Sequence, residues 1–234
     1  MKKKWTILLV LATVLLWAEI TMALPTTIAT PWAADGLGTE VNLVPNGTGS
    51  ASILDYLYGW ENLTRVDDSA DQVWFNEENG SSTAMARYAA YTQNFGYIRD
   101  KDNDGVFESS EFVSLFNVTA SGYLGGYSRS LEMGPYEFVW ADDASGSLMW
   151  TSIPNPNDHM VTWKITGNTG HANNEIGNYV IGWEDLNLGD MDYNDLVVEV
   201  KKVAPVPEPA TMLLLGTGLI GLAGIGRKKL LKKT

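Results

Sequence analysis

Residues 100–111 place acidic and amide side chains at the spacing of a calcium-binding loop. Carboxylates at alternate positions point to one centre when the chain wraps around it, and Gly105 permits the sharp turn that this requires. Calcium takes about six to eight oxygen ligands in a flexible shell, which a loop of this kind can supply. We therefore predict calcium ligands at Asp100, Asp102, Asp104, the Val106 carbonyl, Glu108 through a water molecule, and Glu111.

The residues around this loop differ from those of a paired EF-hand. Phe95–Ile98 before it have the composition of a strand, and only residues 112–116 could begin a helix or strand after it. We therefore expect an EF-hand-like loop within a β domain. The alternative is a solvated acidic turn, since Asp, Asn and Gly are also common turn residues.

A second acidic segment lies between Gly182 and Leu196, where five carboxylates fall within twelve residues. Two carboxylates about 4 Å apart repel by roughly 4 kcal/mol at an effective dielectric constant near 20. Either some of them hold a proton or a hard cation binds, and outside the cell calcium is the expected cation. Asp190, Asp192 and Asn194 alternate along the chain, so in an extended stretch their side chains share one face.

The end of the chain combines the features of a sorting tail. Pro207–Pro209 read Pro-Glu-Pro, an apolar run of 17 residues follows at 210–226, and five basic residues come after it. The run is at the short limit for spanning a bilayer, and the basic cluster would stay on the cytoplasmic side. This tail resembles the PEP-CTERM sorting signal of exopolysaccharide-producing bacteria. The resemblance implies processing by an exosortase and transient anchoring in the inner membrane; a plain C-terminal membrane anchor is the alternative.

The beginning of the chain indicates export. Lys2–Lys4 precede an apolar stretch, and Thr21–Ala23 offer small residues for signal peptidase. We predict a signal peptide at 1–23, a loose segment at 24–50, a β domain at 51–203 and the sorting signal at 204–234, with its transmembrane segment at 210–226. The expected location is the cell envelope, the cell surface or the extracellular matrix.

The charge of the exported region limits its partners. Residues 25–206 hold 8 basic and 26 acidic side chains, a formal charge of −18, against −12 for the whole chain. Nucleic acid is excluded as a partner, because phosphate contacts need clustered Lys and Arg. The chain has no cysteine, so disulfides, a catalytic thiol and Cys-type metal sites are excluded.

The residues do not indicate an enzyme. No two carboxylates stand out as the acid and base of a glycosidase, and clusters in calcium-loop order suit metal binding better. His159 and His171 are the two histidines, and neither has a nucleophile at a suggestive spacing. We therefore predict a protein that is not an enzyme, without catalytic residues and with calcium as its cofactor.

Short segments rich in Val, Ile, Thr, Tyr and Trp, separated by turn residues, favour a mainly β fold. We predict a short helix at 52–58 and a hairpin loop at 142–146. An antiparallel β-sandwich or jelly-roll-like domain follows from this pattern, with Tyr136, Phe138 and Trp140 in its core. The predicted strands are 65–75, 85–98, 136–141, 148–152, 159–166, 179–183 and 195–203.

The second acidic segment also resembles a known family. An aromatic-Glu-Asp-Leu strand end, a Gly-Asp turn and then Asp-Tyr-Asn-Asp-Leu-Val-Val are similar to the signature of the domain-of-unknown-function family numbered 4114. The likeness extends over about 50–203, although Leu188 stands where members often have Gly. The family has no established activity. The resemblance implies a β-rich domain with calcium ligands at Glu184, Asp185, Asp190, Asp192, Asn194 and Asp195.

The sequence thus favours a secreted, calcium-stabilised β domain that serves as a structural or adhesive component of the cell surface or exopolysaccharide matrix of a biofilm. The alternative is a carbohydrate-binding or carbohydrate-hydrolysing module, because the delivery route leads to polysaccharide and seven of the nine tryptophans follow the signal peptide. Exosortase and extracellular polysaccharide are the expected partners.

Overall fold

The computed structural model describes residues 53–146, 148–154, 158–185 and 193–206. The predicted signal peptide, the segment at 24–50 and the transmembrane part of the sorting signal lie outside these residues, as do Asp190 and Asp192. Among the described residues, no helix has the length and apolar character needed to cross a bilayer.

The described chain is mainly β, with every paired strand antiparallel, as the sequence predicts. One six-residue helix, α1, opens it at Ile53–Tyr58, which confirms the predicted short helix. The main path of the sheet runs β1-β9-β10-β11-β2-β7-β3-β4, with β5 and β6 beside β2 and β8 beside β7. The strands are β1 Leu63–Arg65, β2 Trp74–Arg87, β3 Gln93–Ile98, β4 Phe112–Val118, β5 Gly122–Tyr123, β6 Ser128–Ser130, β7 Tyr136–Ala144, β8 Leu148–Thr151, β9 Met160–Ile165, β10 Tyr179–Trp183 and β11 Leu196–Pro205.

Strand β7 joins two parts of the sheet, which face each other. It pairs with β2 through residues 136–138 and with β3 through residues 139–144. Aromatic rings fill the space between the parts: the Phe95 ring lies 6.2 Å from that of Trp183 on β10 and 5.1 Å from that of Trp140 on β7. Tyr136, Phe138 and Trp140 belong to this core, as predicted.

Two of the predicted strands are wrong in their extent. The predicted strand 65–75 is broken, because β1 ends at Arg65 and Asp67 then accepts hydrogen bonds from the N–H and O–H of Ser69, which turns the chain. The predicted strand 85–98 is two strands, β2 and β3, with residues 88–92 between them. Strand β2 also begins 11 residues earlier than predicted, at Trp74.

The predicted hairpin loop at 142–146 is also wrong in part. Asp142, Asp143 and Ala144 continue β7, paired with β3 on one side and with β8 on the other, and the turn begins only at Ser145. Polar composition suggested a loop, but two neighbouring strands satisfy this backbone. As a consequence, the side chain of Asp142 faces the interior.

Candidate metal sites

Strands β10 and β11 bring three carboxylates together. The last residue of β10, Trp183, pairs with the first residue of β11, Leu196. Glu184 and Asp185 therefore follow the end of β10 beside the start of β11. Glu184, Asp185 and Asp195 each place a carboxylate oxygen within 4.8 Å of the others. The backbone N–H of Asp185 also donates to Asp195 Oδ2 at 2.7 Å. We call these three residues the strand-end cluster.

Neighbouring aromatic residues fix the backbone of this cluster. The Glu184 N–H donates to the His159 carbonyl at 3.0 Å, and His159 Nδ1 lies 2.9 Å from the Glu184 carbonyl. The His159 ring stacks on Trp150 at 3.7 Å, and Trp150 Nε1 donates to the Asp185 carbonyl at 2.9 Å. His159, which directly precedes β9, therefore supports the cluster, and burial lowers its pKa, which favours the neutral ring.

Tyr193 shapes the return of the chain into β11. Its φ of 51° lies in the left-handed region, which is uncommon for a residue other than glycine. Its N–H points to Glu184 Oε2 at 3.4 Å, and its hydroxyl donates to the Asp158 carbonyl at 3.0 Å. This strained residue turns the backbone so that Asn194 and Asp195 return towards Glu184 and Asp185.

The strand-end cluster concentrates negative charge at a largely buried place. Glu184 is 1 % exposed and Asp185 is 2 % exposed, whereas Asp195 is half-buried. Burial and then the charges of Asp185 and Glu184 raise the pKa of Asp195 well above its usual range. Neither Asp185 nor Asp195 forms an ion pair with a described residue. Such a group must hold protons or a hard cation, and calcium prefers oxygen ligands of this kind.

Two further residues, which the sequence analysis did not select, face this cluster. The side chains of Phe138, Trp140 and Asp142 alternate along β7 towards the core, so the apolar stripe ends in a carboxylate. Gln93 on β3 donates through Nε2 to Asp185 Oδ2 at 2.7 Å. The alternation of side chains along β7 would have predicted that Asp142 faces the core. The sequence analysis instead assigned residues 142–146 to a hairpin loop.

The loop at 100–111 connects β3 to β4, and its chain wraps around Asp100. The Asp100 carboxylate accepts from the N–H groups of Asp104 at 3.1 Å and Gly105 at 2.9 Å. Glu111 accepts from the Lys101 N–H at 2.5 Å and from the Glu108 N–H at 3.4 Å, which closes the loop. The structure therefore gives this segment the closed shape that the sequence predicts.

Three of the predicted ligands converge in this loop. Asp100, Asp102 and Asp104 place carboxylate oxygens within 4.8 Å of one another. Gly105 has a φ of 84°, the left-handed conformation predicted for the turn. The loop is largely exposed, in contrast to the strand-end cluster. Two other predicted ligands lie at the surface of the loop. The Glu108 carboxylate accepts a hydrogen bond from the Ser110 hydroxyl at 3.3 Å, and the side chain of Val106, whose carbonyl is the predicted ligand, is exposed.

The predicted ligands of the second segment are only partly described. Asn194 is buried, and its carbonyl accepts from the Tyr88 N–H at 3.1 Å, close to the start of β11. Asp190 and Asp192 lie outside the described residues, so their places as ligands stay predictions.

A separate acidic group lies behind His159. Asp68, Asp71 and Asp158 surround Arg65, whose guanidinium forms an ion pair with Asp68 and donates to the Thr162 carbonyl at 3.0 Å. Burial, followed by the charge of Asp68, raises the pKa of Asp158 to about 7. One arginine thus faces three carboxylates, and we call these four residues the arginine cluster.

Comparison with known proteins confirms both resemblances found in the sequence. The PEP-CTERM protein-sorting motif matches residues 205–228. Domain of unknown function (DUF4114) matches residues 138–202, which include most of β7 and β11, all of β8 to β10, the strand-end cluster and Asp142. The match does not extend to the part of the predicted likeness that precedes residue 138. No curated protein matches the chain. The sorting motif indicates an exported protein delivered to the cell envelope.

Some solved bacterial lectins are similar in their β fold. A Chromobacterium violaceum lectin, CV2L, solved with alpha-methyl-fucoside, is 20 % identical, with a TM-score of 0.34 over 58 % of this chain and 97 % of the lectin. The C-terminal domain of the BC2L-C lectin of Burkholderia cenocepacia is 17 % identical, with a TM-score of 0.34 over 61 % of this chain and 99 % of that domain. A high-affinity mannose-binding lectin of Ralstonia solanacearum is 20 % identical, with a TM-score of 0.30, over 58 % and 96 % of the two chains. TM-scores this low carry no argument about what the present chain binds.

Proposed function

We propose that this chain is an exported, calcium-binding β domain that acts as a structural or adhesive component of the bacterial surface or exopolysaccharide matrix. The observation that carries the proposal is the strand-end cluster, where three carboxylates converge within 4.8 Å of one another and two of them, Glu184 and Asp185, are buried. Calcium would neutralise them and fix the ends of β10 and β11. The protein works by binding and not by catalysis, with an exosortase as its processing partner.

The loop at 100–111 supports the same proposal from a second place. Its carboxylates gather around one centre at the junction of β3 and β4. A bound calcium ion would fix that junction, because several side chains of the loop would coordinate the same ion. Extracellular calcium modules commonly have dissociation constants of about 0.1–1 mM, so both sites would fill outside the cell.

An isothermal calorimetric calcium titration of the full-length chain in mild detergent tests this proposal. We expect at least two bound ions per chain, one for the strand-end cluster and one for the loop, with dissociation constants of about 0.1–1 mM. The Asp102→Asn variant should lose the loop ion and keep the other. A wild-type chain that binds no calcium at about ten times these concentrations (about 1–10 mM) would contradict the proposal.

Carbohydrate binding is a second candidate, favoured by an exposed group of tyrosines. Tyr56 is 63 % exposed and Tyr123 is 45 % exposed, and their ring centroids lie 4.8 Å apart. The Tyr88 ring lies 6.3 Å from that of Tyr123. Aromatic rings with an apolar face and a polar tip suit flat ligands with hydroxyl groups, such as sugars.

A polysaccharide-binding assay with single variants tests the second candidate. We expect Tyr123→Ala to lower the affinity of the full-length chain for its matrix polysaccharide by about tenfold, because the loss of one stacked ring costs about 1–3 kcal/mol in comparable stacking sites. Tyr91→Ala is the matched control, since Tyr91 is 41 % exposed and lies between β2 and β3, outside the tyrosine group. Equal binding by wild type and Tyr123→Ala would exclude this surface.

A further inference from the structure

The interior end of β7 contains a carboxylate that lacks a partner. Asp142 is 0 % exposed, and neither of its carboxylate oxygens has a hydrogen-bond partner among the described residues. It forms no ion pair with any described residue. A buried carboxylate without partners is costly, since burial alone removes several kcal/mol of hydration. The folded state therefore requires a proton or a cation that neutralises the Asp142 carboxylate.

Gln93 supplies a second unpartnered oxygen at the same place. It lies on β3 two positions before Phe95, which pairs with Asp142, so the side chains of Gln93 and Asp142 share one face of the sheet. Its Oε1 is buried without a partner among the described residues. Its Nε2 is occupied, because it donates to Asp185 Oδ2 at 2.7 Å and to the Tyr91 carbonyl at 3.2 Å. The amide therefore ties Asp185 to this interior position and leaves its oxygen free to coordinate.

Arg87 is the nearby cation, and most of its guanidinium is used elsewhere. Its two terminal nitrogens donate to the backbone carbonyls of Tyr91, Thr119 and Ala120, whereas its Nε is buried without a partner among the described residues. The charge of Asp185 acts on Asp142 more strongly than that of Arg87, and burial is the largest cause of the raised pKa of Asp142. The electrostatic potential at the Asp142 carboxylate is therefore dominated by negative charge.

We propose that Asp142, Gln93 Oε1 and Asp185 hold a further calcium ion, the third in the chain. We call it the inner ion, and it shares Asp185 with the ion of the strand-end cluster, the outer ion. This inference rests on the proposed calcium-binding function and adds a ligand pair from β3 and β7 to it. Carboxylate and amide oxygens form the hard ligand set that calcium prefers, and water would complete the shell. The inner ion would connect the β3–β7 part of the sheet to the end of β10, whereas the outer ion connects β10 to β11.

Calcium counting in full-length variants tests the inner ion. Calorimetric titration should give one ion fewer per chain for Asp142→Asn and Asp142→Ala than for the wild type. Asp143→Asn is the matched control, because it removes the neighbouring charge from the same strand and should bind as many ions as the wild type. Equal ion numbers in Asp142→Asn and wild type, with affinities within twofold, would overturn the inference. A wild type that binds no calcium would instead overturn the proposed function.

A measurement on the wild type keeps the inference testable if the variants fail to fold. Tb³⁺ can replace calcium, and Trp150, which contacts the Asp185 carbonyl, should sensitise its luminescence. The three side chains can supply up to five of the about six to eight oxygens of the shell, so the sensitised decay should contain a component from an ion with about one to three bound water molecules. A decay in which every sensitised ion carries more than about four water molecules would overturn the inner site.

Discussion

Replacing Asp185 with Asn should raise the melting temperature of the calcium-free chain and remove most of the rise that calcium gives to the wild type. Asp185 lies within 4.8 Å of two other carboxylates, and its charge also raises the pKa values of Asp142 and Asp195. Without calcium, the neutral amide removes this repulsion, which reaches roughly 4 kcal/mol for one pair at 4 Å. The Asn oxygen can still accept the hydrogen bond from Gln93.

With calcium, the same substitution should have the opposite consequence. One site adds about 1.4 kcal/mol of stability at a calcium concentration tenfold above its dissociation constant, and about 2.7 kcal/mol at one hundredfold. Asp185→Asn should keep only the part that comes from the loop at 100–111. Thermal melts of both full-length chains in EGTA and in calcium measure this, with Asp143→Asn as the control. Equal responses to calcium in Asp185→Asn and wild type would show that the strand-end cluster binds no ion.

Asp158→Asn should stabilise the calcium-free chain above pH 7 and leave its stability unchanged near pH 3. The folded state raises the pKa of Asp158 to about 7 from its ordinary value of 3.8. Between these two pH values the unfolded chain releases the proton while the folded chain keeps it, so the wild type loses stability as pH rises. Above pH 7 the loss is complete, and it amounts to about 4 kcal/mol at most.

Asparagine avoids this loss because it carries no charge beside Asp68 and can still accept the hydrogen bond that Met160 N–H donates to Asp158 Oδ1. The measurement is the difference in melting temperature between wild type and Asp158→Asn in EGTA from pH 3 to pH 9. We expect the difference to grow between pH 4 and pH 7 to roughly 10 °C at most. Glu137→Gln, an exposed position on β7, controls for net charge. A difference that does not change with pH would contradict the account of the arginine cluster.

The sequence predicted the β class, the helix at α1 and the closed loop at 100–111, because these depend on local patterns. Asp100, Gly105 and Glu111 lie within twelve residues, so their spacing alone specifies the wrap. Glu184, Asp185 and Asp195 were also predicted as ligands, because five carboxylates fall within twelve residues there and the family resemblance covers them. The pairing of β10 with β11 then brings the two ends of this segment together.

The parts that the sequence did not predict depend on contacts between distant strands. Asp142 looks like a turn residue until β3 and β8 pair on either side of it, and only then does its side chain face Asp185. Gln93 lies 92 residues from Asp185 along the chain, so their hydrogen bond leaves no local pattern. Asp67 likewise ends the predicted strand 65–75 through a turn that competes with β-type composition.

The melting temperature of the wild-type full-length chain with and without bound calcium tests the central claim most directly. The claim is that bound calcium stabilises the carboxylates that converge in the strand-end cluster and in the loop at 100–111. We expect EGTA to lower the melting temperature by roughly 3–6 °C for each site that was filled at tenfold above its dissociation constant. Restored calcium should reverse the change, and magnesium at the same concentration should not, because it requires a smaller octahedral shell. A melting temperature that is the same in EGTA and in calcium would contradict the claim.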